Sequence, residues 1–152
     1  ELTAVIFERC IKKDVKDNQI KRIQRILKDT AMQSKRLLIP SLKPVIKFDD
    51  LLKELSENDI NILCYEDEKK TTIKEVLLSW LANLNCKKYS TGCEYIGKNI
   101  GLIIGTEGGI TQDEVNHLKE VGCKCVSLGN RIFRTEIAGA CAIAMINYEL
   151  EL

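Results

Sequence analysis

The stretch NIGLIIGTEGGITQDEVNHLKEVG, residues 99–122, contains a complete strand, loop and helix, and its reading decides the fold. Residues 99–105 form an apolar run of the kind a strand needs when both its faces are buried. Glycines at 105, 108 and 109 then break the run around Glu107. Thr111-x-x-Glu114 is a capping box, in which the hydroxyl and the carboxylate each satisfy a free backbone N–H at a helix start. The helix it opens should stop at Gly122, a residue that takes the left-handed conformation helix ends favour.

The same alternation extends in both directions. CKCVSL (123–128) reads as a strand and residues 134–147 as a closing helix. Upstream, INILCYE (60–66) is a buried strand and TTIKEVLLSWLANL (71–84) a helix with Trp80 in its core face. Asp49 and Asp50 introduce a short helix through about Leu55, and Pro40 and Pro44 keep the preceding stretch extended. Asp17 is expected to cap a helix in which Ile20, Ile23, Ile26, Leu27 and Ala31 recur at helical spacing, and LTAVIFERC (2–10) to form a strand. Residues 85–98 are the longest irregular segment. Strands alternating with helices predict an α/β fold with a mainly parallel sheet and helices on both faces.

Composition narrows the function classes. With 152 residues, 45% hydrophobic and 30% charged, the chain is expected to form one domain with a proper core. No apolar run approaches the length of a membrane span. The opening on Glu1-Leu2, already inside an apolar segment, is expected of a piece of a longer chain. Seven cysteines, an odd number, fit reduced thiols and an intracellular setting better than a disulfide framework. A lone His117 and a Cys123-x-Cys125 spacing do not make a zinc site, so no metal is expected. A net charge of +1 is uninformative, but Asp17 to Arg36 holds six cations (Lys21, Arg22, Arg25, Lys28, Lys35, Arg36) against two acids. That strip is either a solvated helix face or a surface that meets phosphates.

Parallel sheets bind ligands beyond the carboxyl ends of their strands. Three such ends carry unusual residues: Cys64-Tyr65-Glu66-Asp67, Gly105-Thr106-Glu107-Gly108-Gly109 and Leu128-Gly129-Asn130-Arg131. The second lacks the Gly-Lys-Ser/Thr ending of a phosphate loop and does not fit Gly-x-Gly-x-x-Gly, and Glu107 would repel a pyrophosphate. A ligand with a base, a ribose and a cationic centre, but no phosphate, suits this edge. Gly105, at a strand end, is where its sugar or base is expected to rest against bare backbone.

LIIGTEGGITQDEV, followed by SLGNRIFRTEIA, resembles the paired motif of the RsmE-type ribosomal RNA uridine-N3 methyltransferases, members of the SPOUT superfamily. That motif reads approximately I-G-P-E-G-G-(F/I/L)-(S/T)-x-x-E and then L-G-x-R-I-L-R-T-E-T-A. ELTAVIFERC and DTAMQSKRLLIPSLKPV resemble two earlier family segments, so the likeness runs through the chain in order. Thr106 stands where the family has proline, Ile137 where it has threonine, Thr3 where it has glycine, and Cys10 where it has serine.

The resemblance implies a SPOUT methyltransferase domain over residues 1–152, an α/β fold closed by a C-terminal trefoil knot. It also implies that the family's N-terminal RNA-binding β-barrel and the first strand and helix of the domain lie outside this sequence. The implied activity is transfer of a methyl group from S-adenosylmethionine to uridine N3 of small-subunit ribosomal RNA, without a metal. A homodimer is implied too, with Ala138, Gly139, Ala140, Ala142 and Ala144 bringing backbones together in the knot and the interface. The setting would be the cytoplasm, or an organelle with bacterial-type ribosomes.

By the same resemblance the cofactor would lie among Leu63, Cys64, Tyr65 and Glu66, the loop of Gly105, Glu107, Gly108 and Gly109, and Ser127, Leu128, Gly129, Ile132 and Phe133. Tyr65 and Phe133 either pack on it or fill the core. Arg9, Arg36 and Arg131 would face RNA. Arg134 is the first choice to stabilise the uracil anion left when the N3 proton departs, with Arg9 or Arg131 as alternatives. Glu136 would hold Arg134 or accept that proton, or else serve only as a helix-start carboxylate. Two other readings stand beside this one: a SPOUT enzyme acting on the ribose 2′-hydroxyl, and a catalytically silent RNA-binding or assembly module.

Overall fold

A computed structural model describes residues 1–11, 15–84 and 97–150. Strands and helices alternate in it as β1 (Val5–Ile6), α1 (Asp17–Gln33), β2 (Ile46–Lys47), α2 (Phe48–Glu54), β3 (Ile60–Cys64), α3 (Ile73–Asn83), β4 (Ile100–Ile104), α4 (Gln112–Glu120), β5 (Lys124–Val126) and α5 (Thr135–Leu150). A single 3-10 turn, Leu55–Glu57, extends α2. Nearly all of the expected irregular segment 85–98 lies outside the described residues.

Every strand-to-strand pairing described is parallel, as the alternation requires. The strands divide between two sheets: β1 pairs with β2, and β3 sits between β4 and β5. In the larger sheet Cys64 is in register with both Ile104 and Val126. The three strands therefore end level, and their following loops leave from one edge.

Side chains alternate across a strand, and here the alternation builds two cores. Ile62, Cys64 and Val126 face Leu77, Trp80 and Leu81 of α3 and Ala142 and Ile146 of α5. Leu63, Ile103 and Cys125 face the other way, onto Val115 and Leu118 of α4, Leu51 of α2 and Phe7. Ile62 and Leu63 are wholly buried on opposite faces, and each contributes about 1.5–3 kcal/mol by leaving water. Helices thus cover both faces of the three-stranded sheet.

The two central helices start as their sequences dictate. Thr111 Oγ1 accepts from Glu114 N–H at 3.3 Å while Glu114 Oε2 accepts from Thr111 N–H at 2.9 Å. Thr72 and Glu75 repeat the device at α3, at 3.2 and 2.8 Å. Gly122 follows α4 with φ +90°. The N-terminal region departs from expectation. Residues 2–10 form only the two-residue β1 and a bridge from Leu2 to Leu42, because the chain turns at Phe7, whose carbonyl accepts from Cys10 N–H. Asp17 is inside the first turn of α1, not its cap; the Lys16 N–H is taken by Gln19 Oε1 at 3.1 Å. Ile26 of that helix is exposed, and Ala31 is the residue it buries.

In α5 the buried stripe is Ala138, Ala142, Ile146 and Leu150, spaced four apart. Ala142 is fully buried within this chain's own core, so it serves packing onto the sheet and α3, whereas Ala138 is buried at the cavity. Ala140 and Ala144 lie exposed on the helix.

Burial also governs the cysteines. It pushes the Cys64 thiol up to about 12 and the Cys123 thiol to about 11, from an ordinary value of 9.0. Both are therefore neutral in the folded chain when an unfolded chain would already ionise them. A raised folded value means that this contribution to stability is intact below pH 9 and is lost as pH rises toward 12. The melting temperature is expected to decline steadily above pH 9, with a shallower decline in Cys64→Ala, as read by calorimetric scans across that range.

Candidate functional site

The three level strand ends open into a cavity of about 580 Å³, a size typical of small-molecule sites. Cys64, Tyr65 and Glu66 line it after β3, Gly105, Thr106, Glu107 and Gly109 after β4, and Ser127 to Glu136 after β5.

Each wall is held by its own backbone chemistry. Glu68 accepts from the N–H groups of Lys70 and Thr71 at 2.8 and 3.0 Å. Those two bonds draw its carboxyl below the usual carboxylate value and fold the β3–α3 loop. Thr106 and Gly109 close a tight turn: Gly109 N–H donates to Thr106 O at 2.9 Å, and Thr106 Oγ1 donates to Gly109 O at 3.0 Å. The threonine that replaces the family's proline thus fastens this turn with its side chain. In the third wall Gly129 has φ +115°, and its N–H donates to Ser127 Oγ at 3.2 Å.

Gly109 has φ +74°, and the place its Cβ would take lies 2.7 Å from Glu66 Oε1 and 3.6 Å from Arg9 Nη1. Only a glycine satisfies both constraints. At Gly105 the geometry differs from expectation. An added Cβ there would meet Ile110 Cγ1 at 3.0 Å, so a side chain would enter the core beneath the loop and not the cavity. The period-two alternation of β4, continued by one residue, accounts for this: Ile103 and position 105 face the same side.

Most of the residues singled out from the sequence come together. Cys64, Tyr65, Glu66, Gly105, Glu107, Gly109, Ser127, Leu128, Gly129, Ile132, Phe133, Arg131, Arg134 and Glu136 all line the cavity. Leu63 does not; it is fully buried in the opposite core, turned away by the strand's alternation. Gly108 lies on the outer side of its loop against Arg9, whose Nη1 donates to the Gly108 carbonyl at 3.2 Å. Arg36 follows the end of α1, away from the cavity lining. Tyr65 packs against the α4-side core, its hydroxyl donating to Asp67 Oδ2 at 3.2 Å, and the residue also lines the cavity. Phe133 is half-buried and belongs to the cavity wall.

Lys69, Ile104 and Thr135 also line the cavity and escaped the sequence reading, and Ala138, expected at the knot and interface, lines it too. Lys69 hides within the charged run Glu66 to Lys70, yet its Nζ donates to the Glu66 carbonyl. The residues lining the cavity include three acids, Glu66, Glu107 and Glu136, and three cations, Lys69, Arg131 and Arg134. Among the described residues, neither Arg134 nor Glu136 forms an ion pair, so both charges are open to a ligand. Arg134 is fixed at its backbone, where its carbonyl accepts from Ile137 and Ala138 N–H at 2.9 Å each and starts α5. Among the described residues no group of three or more His, Cys, Asp or Glu is placed to hold a metal ion, and no helix is long and apolar enough to cross a membrane.

Residues 1–147 match the family model of the RNA methyltransferase domain. The chain is 31% identical over 131 residues to ribosomal RNA small subunit methyltransferase E of Bacillus subtilis (strain 168), covering 86% of this chain and 47% of that protein. The fold is similar to that of a methyltransferase from Legionella pneumophila solved with bound cofactor SAM, at TM-score 0.72 and 25% identity over 96% of this chain and 54% of the other. It is likewise similar to ribosomal RNA small subunit methyltransferase E of Neisseria gonorrhoeae bound to S-adenosyl methionine, at TM-score 0.68 and 30% identity over 97% of this chain and 55% of the other. The chain spans about half the length of these relatives.

Proposed function

The chain belongs to the RNA methyltransferase domain family, and from that premise we propose that it transfers a methyl group from S-adenosylmethionine to uridine N3 of small-subunit ribosomal RNA. The observation that carries this reading is the cavity's balance of charge. Three carboxylates and three cations around apolar walls suit a ligand with a sulfonium, an ammonium and a carboxylate, and they disfavour a polyphosphate. The relatives of Legionella and Neisseria, solved with that cofactor, support it.

When bound, S-adenosylmethionine supplies a methyl group activated by its positive sulfur. The protein's part is to align donor and acceptor for in-line displacement. Backbone groups of Leu128, Ile132 and the Gly105–Gly109 loop would receive the adenosine, and Glu66 offers a carboxylate to the ribose or ammonium. Uracil N3 must lose its proton, and the negative charge spreads onto the flanking carbonyl oxygens. The open guanidinium of Arg134 stabilises that anion, and Glu136, two residues on in the first turn of α5, accepts the proton. Duplex RNA hides N3, so the target base is unpaired or flipped out. Arg9 and Arg131 grip the RNA around it.

The proposal extends to architecture. Residues 1–152 form one SPOUT domain in which α5 is drawn through a loop of chain as a trefoil knot; its buried stripe packs against the sheet and α3. The protein works as a homodimer through the outer face of α5, where Ile143 and Tyr148 are 52% and 80% exposed. It works wherever ribosomes of bacterial type are assembled. Ile143→Glu is expected to halve the mass measured by light scattering while leaving the monomer folded; an unchanged dimer would remove this face from the interface.

Calorimetric titration with S-adenosylmethionine, followed by nucleoside mass analysis of treated ribosomal RNA, tests the function. N3-methyluridine is the expected product. A 2′-O-methylated nucleoside would move the chain to a different chemistry, and absence of cofactor binding would leave a silent RNA-binding module.

A further inference from the structure

The loop that follows β1 is fastened to α4 by Glu114 and to the glycine loop by Arg9. Glu114 is buried, only 6% exposed, yet both carboxylate oxygens are engaged. Oε2 accepts from the N–H and the hydroxyl of Thr111 at 2.9 and 3.0 Å. Oε1 accepts from the backbone N–H of Glu8 at 2.7 Å, a partner 106 positions away. A capping box requires only the first of these oxygens. The second has no part in starting α4.

What it holds is the neighbour of Arg9. Arg9 Nη1 donates to the Gly108 carbonyl at 3.2 Å, and a Cβ added to Gly108 would stand 3.1 Å from both the Cβ and the carbonyl oxygen of Arg9. Arg9 is therefore laid along the outer side of the loop whose inner side lines the cavity. A charged acceptor makes the Glu8 bond stronger than a neutral one would, and burial protects it from competing water.

We infer that Glu114 is a positioning residue: through the Glu8 N–H it sets Arg9 on the rim of the glycine loop, where Arg9 meets the RNA substrate. The inference rests on the reading of this cavity as a methyl-transfer site with Arg9 facing the nucleic acid.

Glu114→Gln tests it. The amide keeps one oxygen for Thr111 N–H, preserving the cap, but turns an NH2 donor toward the Glu8 donor. The dissociation constant for small-subunit ribosomal RNA, measured by filter binding with the whole protein, is expected to rise about tenfold. Cofactor affinity should stay within about twofold. The Glu8 amide, slow to exchange with solvent in the parent, should exchange faster. Thr111→Ala weakens the cap without touching the Glu8 bond and should leave RNA affinity near the parent's. Arg9→Ala should weaken RNA binding as much as Glu114→Gln, and combining the two should add no more than about twofold.

The inference is overturned if Glu114→Gln speeds Glu8 exchange but leaves RNA affinity unchanged, if Glu8 exchange is unaltered, or if Thr111→Ala reproduces the RNA defect. RNA binding is read here without turnover. A parent that binds RNA but transfers no methyl group would therefore refute the proposed chemistry and leave the Glu114 comparison decisive for the clamp.

Discussion

Arg134→Ala is expected to slow methyl transfer to ribosomal RNA by about a hundredfold or more while leaving affinity for S-adenosylmethionine within a few-fold of the parent. Arg134 is an exposed residue of the cavity lining, and among the described residues no carboxylate pairs with it. Its removal costs the cavity a charge, but its structural contribution is its backbone carbonyl, which any residue supplies. The loss should therefore fall on the step in which uracil becomes an anion. The discriminating pair of measurements is calorimetry with the cofactor and single-turnover transfer to RNA in the whole protein. Normal turnover would shift the anion-stabilising role to Arg9 or Arg131. Loss of cofactor binding would make Arg134 part of the cofactor's own enclosure.

Gly109→Val should have the opposite profile: cofactor binding is lost, and turnover falls only because nothing is bound. Two effects act together. A residue at φ +74° with a branched side chain strains the turn, and left-handed geometry alone costs about 1–2 kcal/mol for an ordinary residue. The new Cβ also meets Glu66 Oε1 at 2.7 Å, so that carboxylate must leave its present position in the cavity lining. Calorimetry should detect no binding at concentrations about a hundredfold above the parent's dissociation constant, with circular dichroism unchanged. Gly105→Leu separates the two mechanisms, since its side chain presses on Ile110 and not on Glu66. It should lower the melting temperature more than Gly109→Val does. Retained cofactor affinity in Gly109→Val would mean that Glu66 is displaced outward and has no part in the site.

Much of this was legible in the sequence because it rests on local chemistry. The capping box at Thr111, the helix stop at Gly122 and the apolar runs of β3 and β4 each declare themselves within a few residues. The convergence of three loops followed from parallel strands having their ends on one edge. What failed to show was what depends on distant partners. The chain from Leu2 to Cys10 has strand-like composition throughout, but its turn at Phe7 is set by where Glu114 and Gly108 wait, some hundred residues on. Leu63 and Cys64 are adjacent and both apolar, and only the register of β3 decides which of them faces the cavity. Lys69 was hidden for the same reason: five successive charged residues look alike until the loop's fold selects one.

The level ends of β3, β4 and β5 carry a consequence for how such a protein changes over time. Each wall of the cavity is a separate loop planted on the same rigid edge. Lengthening or exchanging one wall leaves the footing of the other two intact, because that footing is the hydrogen-bonded ladder and the two cores beneath it. A lineage built on this edge can explore new targets by loop replacement, and a laboratory can do the same by grafting residues 127–134 from a relative while the remainder of the chain is kept.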